Sequence, residues 1–292
     1  MSERRAYVSG DVLGGRYELA DLVSEILGTN NWRAIDLVLH RNVRVEILPP
    51  GDTRAAKHLA AARNATEVSD PRVLRVLDLI RTEEGAHVVV REWAKATALS
   101  HVLEQSPIPN RRAAAIVAEV AESIAHAHEA QVYHRLLTPH QVLLKRTGAV
   151  RIVGLGVATA LAPVDHRDSA DDLESYRAAD VTAIGKLLYA CLVSRWPGGH
   201  VDGLRTAPTD HGQFLRPRQV RAGISRDVDS ICDRILAPWR HPRNALTSAA
   251  EIARELYAIS DGPVDLAEDV GEFDVVSDDL LRLDPVVEPS GP

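Results

Sequence analysis

The sequence predicts an α+β protein with two lobes, a small strand-rich lobe followed by a larger helical one. Before residue 95, apolar residues occur mainly in short runs typical of β-strands. After residue 95, they recur at the three- and four-residue spacing of amphipathic helices. The length of 292 residues allows one large two-lobed domain. We therefore place the boundary between the lobes near residue 95.

Five strand-like segments and one helix make up the predicted first lobe. The helix, residues 53–68, is rich in alanine, a strong helix former. The predicted strands are residues 16–23, 32–38, 43–48, 73–81 and 86–93. We expect residues 1–12 to form an N-terminal arm and residues 13–95 to form the first lobe.

Helices dominate the predicted second lobe, residues 96–259. Three segments place apolar side chains on one helical face, namely residues 111–128, 180–193 and 225–236. A capping-box pattern, Ser248-Ala249-Ala250-Glu251, begins a fourth helix over residues 248–259. Ser225 is the predicted N-cap of the third helix. Two short strand-like pieces, residues 142–145 and 150–153, lie between the first two helices.

Charge is unevenly distributed along the chain. The net charge is −7, and residues 260–292 alone contain ten acids and a single base, Arg282, which leaves the remainder near neutral. We interpret residues 260–292 as an acidic, disordered tail. The remainder lacks the basic stripe of a nucleic-acid-binding protein, so nucleic acid is not an expected partner.

The sequence does not predict direct membrane insertion. No apolar run reaches membrane-spanning length, and the first residues lack the apolar stretch of a signal peptide. The two cysteines, Cys191 and Cys232, are too few for a disulfide framework or a four-ligand zinc site. We therefore expect a cytoplasmic protein with reduced core thiols.

Three motifs resemble those of bacterial Ser/Thr protein kinases of the actinobacterial type. The first begins with Arg16-Tyr17-Glu18-Leu19 and continues through residues 34–46, where the family reads A-R-D-x-x-L-x-R-x-V-A-V-K. The second, residues 133–144, is similar to Y-H-R-D-L-K-P-x-N-I-L-L. The third begins at Asp180 and resembles the D-V-Y-S-L-G that opens the central helix of the large lobe. The resemblance covers residues 13–259 and implies a two-lobed protein kinase-like fold, with a five-stranded N-lobe and a helical C-lobe.

The resemblance also assigns the N-lobe positions that phosphotransfer needs, and this chain departs from the family at each of them. A kinase holds ATP with a glycine loop, a third-strand lysine and a helix glutamate that fixes the lysine. Ser24 stands where the glycine loop begins, Glu46 replaces the lysine and Ala61 replaces the helix glutamate. Glu46 thus reverses the charge that should meet the phosphates.

The C-lobe departs from the family in the same way. Leu136 replaces the catalytic aspartate and can neither accept nor orient a hydroxyl proton. Thr138 replaces the catalytic-loop lysine, and Gln141 replaces the metal-binding asparagine. Gly154 stands where the family has its main magnesium carboxylate. Together these changes predict a pseudokinase, an inactive kinase homologue without catalytic, cofactor-binding or metal-binding residues.

Three residues of the kinase pattern are retained, namely His134, Arg135 and Asp180. We expect them to brace the C-lobe, because the family's equivalent of Asp180 accepts hydrogen bonds from the catalytic-loop backbone. His126 and His128 are two residues apart on a helix and point to different faces, which argues against a metal site.

A further prediction concerns the space that holds the nucleotide in a kinase. Side chains alternate along a strand, so Arg44 and Glu46 lie on one face. The resemblance places Arg91 at the gatekeeper position beside that strand. We expect Arg44 and Arg91 to pair with a buried Glu46, because the interior tolerates paired charges far better than lone ones.

Among kinase-like families, the chain most resembles the kinase-homology module associated with MurJ-type lipid II flippases of actinobacteria. In that family, the cytoplasmic module is phosphorylated on threonine by a Ser/Thr protein kinase and binds a forkhead-associated protein, which restrains peptidoglycan synthesis. The resemblance implies a phosphorylation-dependent scaffold recruited to the inner face of the membrane, with these three proteins as partners. Thr159, Thr206 and Thr209 are candidate phosphosites, because their segments are predicted to be exposed.

The alternative comes from the enzyme class: a divergent Ser/Thr kinase or nucleotide-binding phosphotransferase with atypical ligands. Binding of ATP and a divalent metal separates the two interpretations, since a ligand that binds the native state raises the melting temperature. The residues at the phosphotransfer positions favour the pseudokinase.

Overall fold

The computed structural model describes residues 7–26, 29–157, 160 and 173–260. Within them, the chain forms a strand-rich N-lobe and a helical C-lobe, as the sequence predicts. The segment 261–292, which covers almost all of the predicted acidic tail, lies outside the described residues, as does the candidate phosphosite Thr159.

One antiparallel sheet forms the N-lobe. Its strands are Val12–Leu13 (β1), Tyr17–Ile26 (β2), Thr29–Asp36 (β3), Arg41–Leu48 (β4), Val76–Arg81 (β5) and His87–Glu92 (β6). They are hydrogen-bonded in the order β1-β2-β3-β4-β6-β5. The five longer strands match the five predicted segments. The two-residue β1, which begins inside the predicted arm, adds a sixth strand at the sheet edge.

Helix α1, Ala55–Ala65, packs against β5 and β6. Its buried positions recur at helical spacing and are Ala55, His58, Ala62 and Ala65. Ala62 and Ala65 share an apolar cluster with Val89 of β6. A second cluster, which includes Trp32, Val43 and Val45, also belongs to the sheet. Because successive residues of a strand point to opposite faces, Val43 and Val45 lie on the face opposite Arg44 and Glu46.

The C-lobe helices enclose a single large apolar core. They are Leu99–Gln105 (α2), Asn110–Glu129 (α3), Leu173–Val193 (α4), Pro217–Val220 (α5), Arg226–Leu236 (α6) and Ala249–Tyr257 (α7). Helix α3 packs against α4 and α7, and α4 packs against α6. Helix α4 begins at Leu173, seven residues before the predicted start at Asp180. Residues 173–179 are mostly exposed and carry no apolar stripe, so helical periodicity could not predict this first part of the helix.

Two residues, Ser225 and Gly185, determine how α6 begins and how closely it packs against α4. The Ser225 side chain accepts a hydrogen bond from the Val228 amide and so caps the helix as predicted. Gly185 of α4 lets the two helices approach closely, since a Cβ at this position would lie 2.5 Å from Ile235 Cγ2.

Short strands complete the C-lobe. Thr97–Ala98 (β7), Val142–Leu144 (β8) and Val150–Ile152 (β9) form a three-stranded sheet in that order, which includes both predicted short strands. Arg195–Trp196 (β10) pairs in parallel with Arg205–Thr206 (β11), and Thr209–Asp210 (β12) pairs with Gln213–Phe214 (β13). Among the helices of the described ranges, none is long and apolar enough to cross a bilayer.

Candidate functional site

A buried charge cluster lies on the inner face of the N-lobe sheet. Glu46 of β4 is its centre, and Arg44 on the same strand brings Nε within 3.6 Å of Glu46 Oε1. Arg91 of β6 places Nε 3.0 Å from Oε1 and donates from Nη2 to Oε2 at 3.3 Å. Arg44 lies directly opposite Arg91 across the β4–β6 ladder. The predicted pairing of both arginines with a buried Glu46 is thus confirmed.

Burial and charge act on this cluster in opposite directions. All three side chains are less than a tenth exposed. Burial alone would raise the pKa of Glu46, but the charges of Arg91, His58 and Arg44 hold it well below its ordinary value. Burial lowers the pKa of Arg44 to about 10, and Glu46 only partly offsets this. Glu46 is therefore ionised at neutral pH, and its single negative charge faces two guanidinium groups.

Helix α1 supplies a fourth member of the cluster, His58, which the sequence analysis missed. Its Nε2 lies 3.2 Å from Glu46 Oε2, and its side chain is fully buried. The expected counterpart from this helix was Ala61, which is only partly buried and packs in the cluster around Val89. The residue that contacts Glu46 thus lies three residues before Ala61, which is close to one helical turn. The sequence does contain a signal for the burial of His58, because this residue falls on the helical stripe formed by Ala55, Ala62 and Ala65.

The retained kinase residues form a second polar centre, in the C-lobe. Asp180 of α4 accepts hydrogen bonds from the backbone amides of His134 at 2.8 Å and Arg135 at 2.6 Å, as the family resemblance implies. Arg135 has a φ of +65°, a left-handed conformation that costs a non-glycine residue about 1–3 kcal/mol. The two hydrogen bonds to Asp180 help to hold the loop in this conformation.

Side chains from helices α3 and α4 reinforce this polar centre. His128 of α3 brings Nε2 to 3.0 Å from Asp180 Oδ2. The guanidinium of Arg135 lies 3.9 Å from the centroid of the Tyr176 ring, within cation–π range. His126 instead contacts Asp70, with Nδ1 2.8 Å from Oδ2. The two helix histidines therefore serve different carboxylates, consistent with their expected positions on different faces.

Burial and one hydrogen bond fix His134. Its Nε2 donates to the Val153 carbonyl at 2.9 Å. Burial lowers the pKa of His134, which favours the neutral ring. Val153 precedes Gly154, the residue at the magnesium-carboxylate position, so His134 links the catalytic loop to this segment as a structural brace.

The positions that bind metal and act in catalysis in a kinase take part in local structure here. Gln141 Oε1, the amide oxygen that would face a metal, accepts a hydrogen bond from the Thr138 amide at 2.9 Å and caps the short turn Pro139–Gln141. Leu136 is partly buried. Gly154 adopts a φ of +80°, which suits glycine. Among the residues that the structure describes, no group of three His, Cys, Asp or Glu side chains could hold a metal ion.

The segment at the glycine-loop position forms a strand pair with register shifts, and it extends as far as Ile26. Ser24 lies in β2 and pairs with Asn31 of β3, next to a register shift between Leu22 and Ser24. Asn31 is buried and donates to the Thr29 carbonyl. This segment therefore forms part of the sheet.

Two of the three candidate phosphosites can be placed. Thr206 lies in β11 and Thr209 in β12, and both are exposed. The exposure of both threonines agrees with the expectation from the sequence, and each lies in a two-residue strand. Strands this short carry no alternating pattern that could predict them.

A comparison with known families identifies the fold. The sequence profile of the protein kinase domain matches residues 53–201. This chain belongs to the protein kinase family. The match spans helix α1, the charge cluster's Arg91, the catalytic loop and Asp180.

Individual relatives are bacterial Ser/Thr kinases. The chain is 26% identical over 279 residues to serine/threonine-protein kinase PknB of Mycobacterium leprae, covering 86% of this chain and 44% of that protein. It is 25% identical over 207 residues to serine/threonine-protein kinase PrkC of Bacillus subtilis, covering 64% of this chain and 32% of that protein. The chain thus spans less than half the length of these curated relatives.

Proposed function

We propose that this protein is a pseudokinase, a kinase-fold regulator that binds partners without transferring phosphate. The buried cluster around Glu46 carries the proposal. A kinase needs a cation here to meet the α- and β-phosphates of ATP. In this chain, the position holds a carboxylate that Arg44, Arg91 and His58 surround. Glu46 would repel a nucleotide phosphate, and Arg44 and Arg91 are both buried beside it as its counter-charges.

The C-lobe supports the same proposal. Leu136 supplies no base, and Gly154 supplies no carboxylate for magnesium. The amide oxygen of Gln141 is already used by the Thr138 amide. A single lost group could be replaced from elsewhere, but the loss of lysine, base and metal ligands together removes most of the charge neutralisation on which phosphotransfer depends.

ATP binding provides the direct test. We expect the melting temperature of the full chain to change by less than about 1 °C in 1 mM ATP with magnesium or manganese. A dissociation constant of about 10 µM would instead stabilise the protein by about 2.7 kcal/mol and raise the melting temperature by several degrees. A relative named as a Ser/Thr kinase is the positive control. A clear shift, or metal-dependent autophosphorylation, would overturn the proposal.

The competing function is phosphotransfer by an atypical set of ligands. The names of the relatives favour it, since the curated proteins to which the chain is similar are named Ser/Thr kinases. At about 25% identity, the names describe the activity of the relatives themselves and do not establish the activity of this chain. The ATP experiment decides between the two functions, because only the atypical enzyme requires a bound nucleotide.

We infer further that the domain acts as a phosphorylation-dependent scaffold in the control of cell-wall synthesis. Exposure of Thr206 and Thr209 on the C-lobe supports this role. Phosphate on either residue adds nearly two negative charges and three strong acceptors, which suit an arginine-lined phosphothreonine pocket. The proposed partners are a Ser/Thr protein kinase, a forkhead-associated protein and a lipid II flippase at the inner face of the membrane.

This proposal is tested by phosphorylation and binding. The full chain is incubated with a Ser/Thr kinase, its phosphosites are mapped by mass spectrometry, and binding of a forkhead-associated domain is measured before and after. Replacing Thr206 and Thr209 by alanine should abolish the phosphate-dependent binding, whereas Thr182→Ala on helix α4 should not change it. Binding that persists when Thr159, Thr206 and Thr209 are all replaced would leave only a constitutive scaffold.

A further inference from the structure

We propose that a basic cleft behind the hinge binds this chain's own acidic segment, residues 261–292. The hinge is residues 93–96, which connect β6 to β7. The cleft behind it, here called the rear-hinge cleft, encloses about 290 Å3. Its lining residues come from both lobes and are Arg41, Asn42, Leu77, Glu92, Trp93, Lys95 and Arg151.

Positive charge dominates the rear-hinge cleft. Arg41, Lys95 and Arg151 line it, and Arg75 lies at its edge through its contact with Glu92. Glu92, the acid of the lining, is already neutralised, because Arg75 Nη2 lies 2.8 Å from Oε1 and Arg151 Nη2 lies 2.9 Å from Oε2. The cations therefore remain in excess and attract an anionic ligand.

Two of these cations retain capacity for a further acidic partner. Arg41 is 41% exposed, and its nearest carboxylate is Asp36, with Nε at 3.8 Å from Oδ2. Asp36 is itself held by Arg16 through two hydrogen bonds of 2.8 Å. Arg151 Nε is buried and has no hydrogen-bond partner within the described part of the chain. An incoming carboxylate can pair directly with the exposed Arg41, and it can meet Arg151 Nε once that side chain turns towards the cleft.

The acidic segment matches the chemistry of the cleft. Residues 261–292 contain ten acids and the single base Arg282. Apolar pairs interrupt the acids, at Val275-Val276 and Leu280-Leu281. The cleft presents the half-buried Trp93 and Leu77 beside its cations. A peptide that alternates carboxylates with aliphatic side chains fits such a lining better than a bare inorganic anion does.

A chain of hydrogen bonds connects the end of α7 to a residue beside the cleft. Near the end of α7, the Tyr257 hydroxyl donates to Glu122 Oε2 at 2.9 Å, and Arg72 Nη1 donates to the same oxygen at 2.6 Å. The Arg72 carbonyl in turn accepts from the Ile152 amide, next to Arg151 of the cleft. An extended chain of this length can span up to about 100 Å, which exceeds the diameter of about 50 Å expected for a domain of this size, so the segment is long enough to reach the cleft.

The covalent connection favours this occupant over a separate chain. A tethered segment binds at an effective concentration of about a millimolar, without the translational cost of a second molecule. Docking at this concentration requires about 4 kcal/mol, which ion pairs of at most about 1 kcal/mol each supply together with apolar contacts to Trp93 and Leu77. Bound there, the segment bridges the two lobes across the hinge.

Zero-length cross-linking of the full chain tests the proposal. A carbodiimide activates a carboxylate, and a lysine amine displaces the urea to form an amide only where the two groups touch. The chain has four lysines, and Lys95 lies in the cleft, whereas the exposed Lys57 lies on α1. Mass spectrometry should find residues 261–292 joined to Lys95 several-fold more often than to Lys57. In 1 M salt, where the Debye length is about 3 Å, the excess should disappear.

A matched pair of variants and isotope mixing complete the test. Arg41→Gln should lower the Lys95 cross-links by about two- to fivefold, and Arg81→Gln on β5 should leave them unchanged, with both melting temperatures near that of the parent chain. Equal labelling of Lys95 and Lys57, or no effect of Arg41→Gln, would overturn the proposal. Mixing heavy and light chains identifies the remaining outcome, since links between differently labelled chains would show docking on a second copy instead.

Discussion

Glu46 and Arg91 form a buried ion pair, with Glu46 Oε1 3.0 Å from Arg91 Nε. They come from adjacent strands of the N-lobe sheet, and each is less than a tenth exposed. The inner face of the lobe is therefore organised around a carboxylate. Arg44 and His58 complete its surroundings, so the charge at this position is structural in the folded chain.

Removing the carboxylate should destabilise the protein strongly. Glu46→Gln leaves Arg44 and Arg91 buried without an acid, and breaking a buried pair in this way typically costs about 3–5 kcal/mol. We expect a loss of this size in the free energy of unfolding, measured by urea denaturation with coincident fluorescence and circular dichroism transitions.

The control for this measurement is Glu25→Gln. Glu25 is an exposed acid on β2 of the same sheet, so its removal should change the free energy of unfolding by no more than about 0.5 kcal/mol. A loss below about 1 kcal/mol for Glu46→Gln would show that water or a rearranged side chain replaces the carboxylate, which contradicts a tightly packed cluster.

Acid should destabilise the fold through carboxyls that are paired in the native state. Burial alone would raise the pKa of Asp70, but Arg72 and His126 lower it from 3.8 to about 2. Between these two values the unfolded chain binds more protons than the folded chain, so stability rises with pH across this window and is lost as pH falls through it. Asp70→Asn should flatten this part of the stability profile, measured at constant ionic strength.

The control for the measurement of stability against pH is a substitution of the exposed Asp227. Asp227→Asn, on the first turn of α6, should leave the slope between pH 2 and 3.8 unchanged. An unaltered slope for Asp70→Asn as well would mean that its ion pairs with Arg72 and His126 do not persist in solution.

Strand periodicity predicted more of the candidate site than helix counting did. A strand alternates strictly, so the sequence was enough to place Arg44 and Glu46 on one face, and the alignment of neighbouring strands added Arg91. The resemblance assigns the helix-glutamate position to Ala61, whereas the structure places His58, three residues earlier, against Glu46. An error of this size moves a side chain by a full helical turn while leaving it on nearly the same face.

Long-range contacts account for the rest of what the sequence did not predict. The order of the main helices follows from apolar periodicity, which is local. The contact of His128 with Asp180 joins residues far apart in the chain, and the stacking of Arg135 on Tyr176 depends on an exposed turn at the start of α4. Neither contact leaves a periodic signal, since each depends on how separate helices pack.

Asp180 should be needed to hold the catalytic-loop backbone. Asp180→Asn replaces one acceptor oxygen by an NH2 group, which faces a backbone N–H or His128 that needs an acceptor. We expect a loss of about 2–3 kcal/mol, as for other hydrogen bonds to charged groups, and faster hydrogen exchange at the Arg135 amide. Asp210→Asn, an exposed change on β12, should alter neither quantity. Unchanged exchange at Arg135 would show that packing alone maintains its left-handed backbone.

The contact between α4 and α6 makes Gly185 intolerant of even a methyl group. A Cβ at Gly185 would lie 2.5 Å from Ile235 Cγ2 and 2.9 Å from Leu236 Cδ2, closer than packed atoms allow. Gly185→Ala gains about 1 kcal/mol in helix propensity but overpacks the interface, a change that costs about 1–3 kcal/mol and more when backbone must move. We expect a net loss of about 1–2 kcal/mol in the free energy of unfolding. Gly199→Ala is the matched control, since its Cβ would meet no atom within 4 Å, and it should be neutral or slightly stabilising. If Gly185→Ala proved as stable as the parent chain, the two helices would have to pack farther apart in solution than they do in this structure.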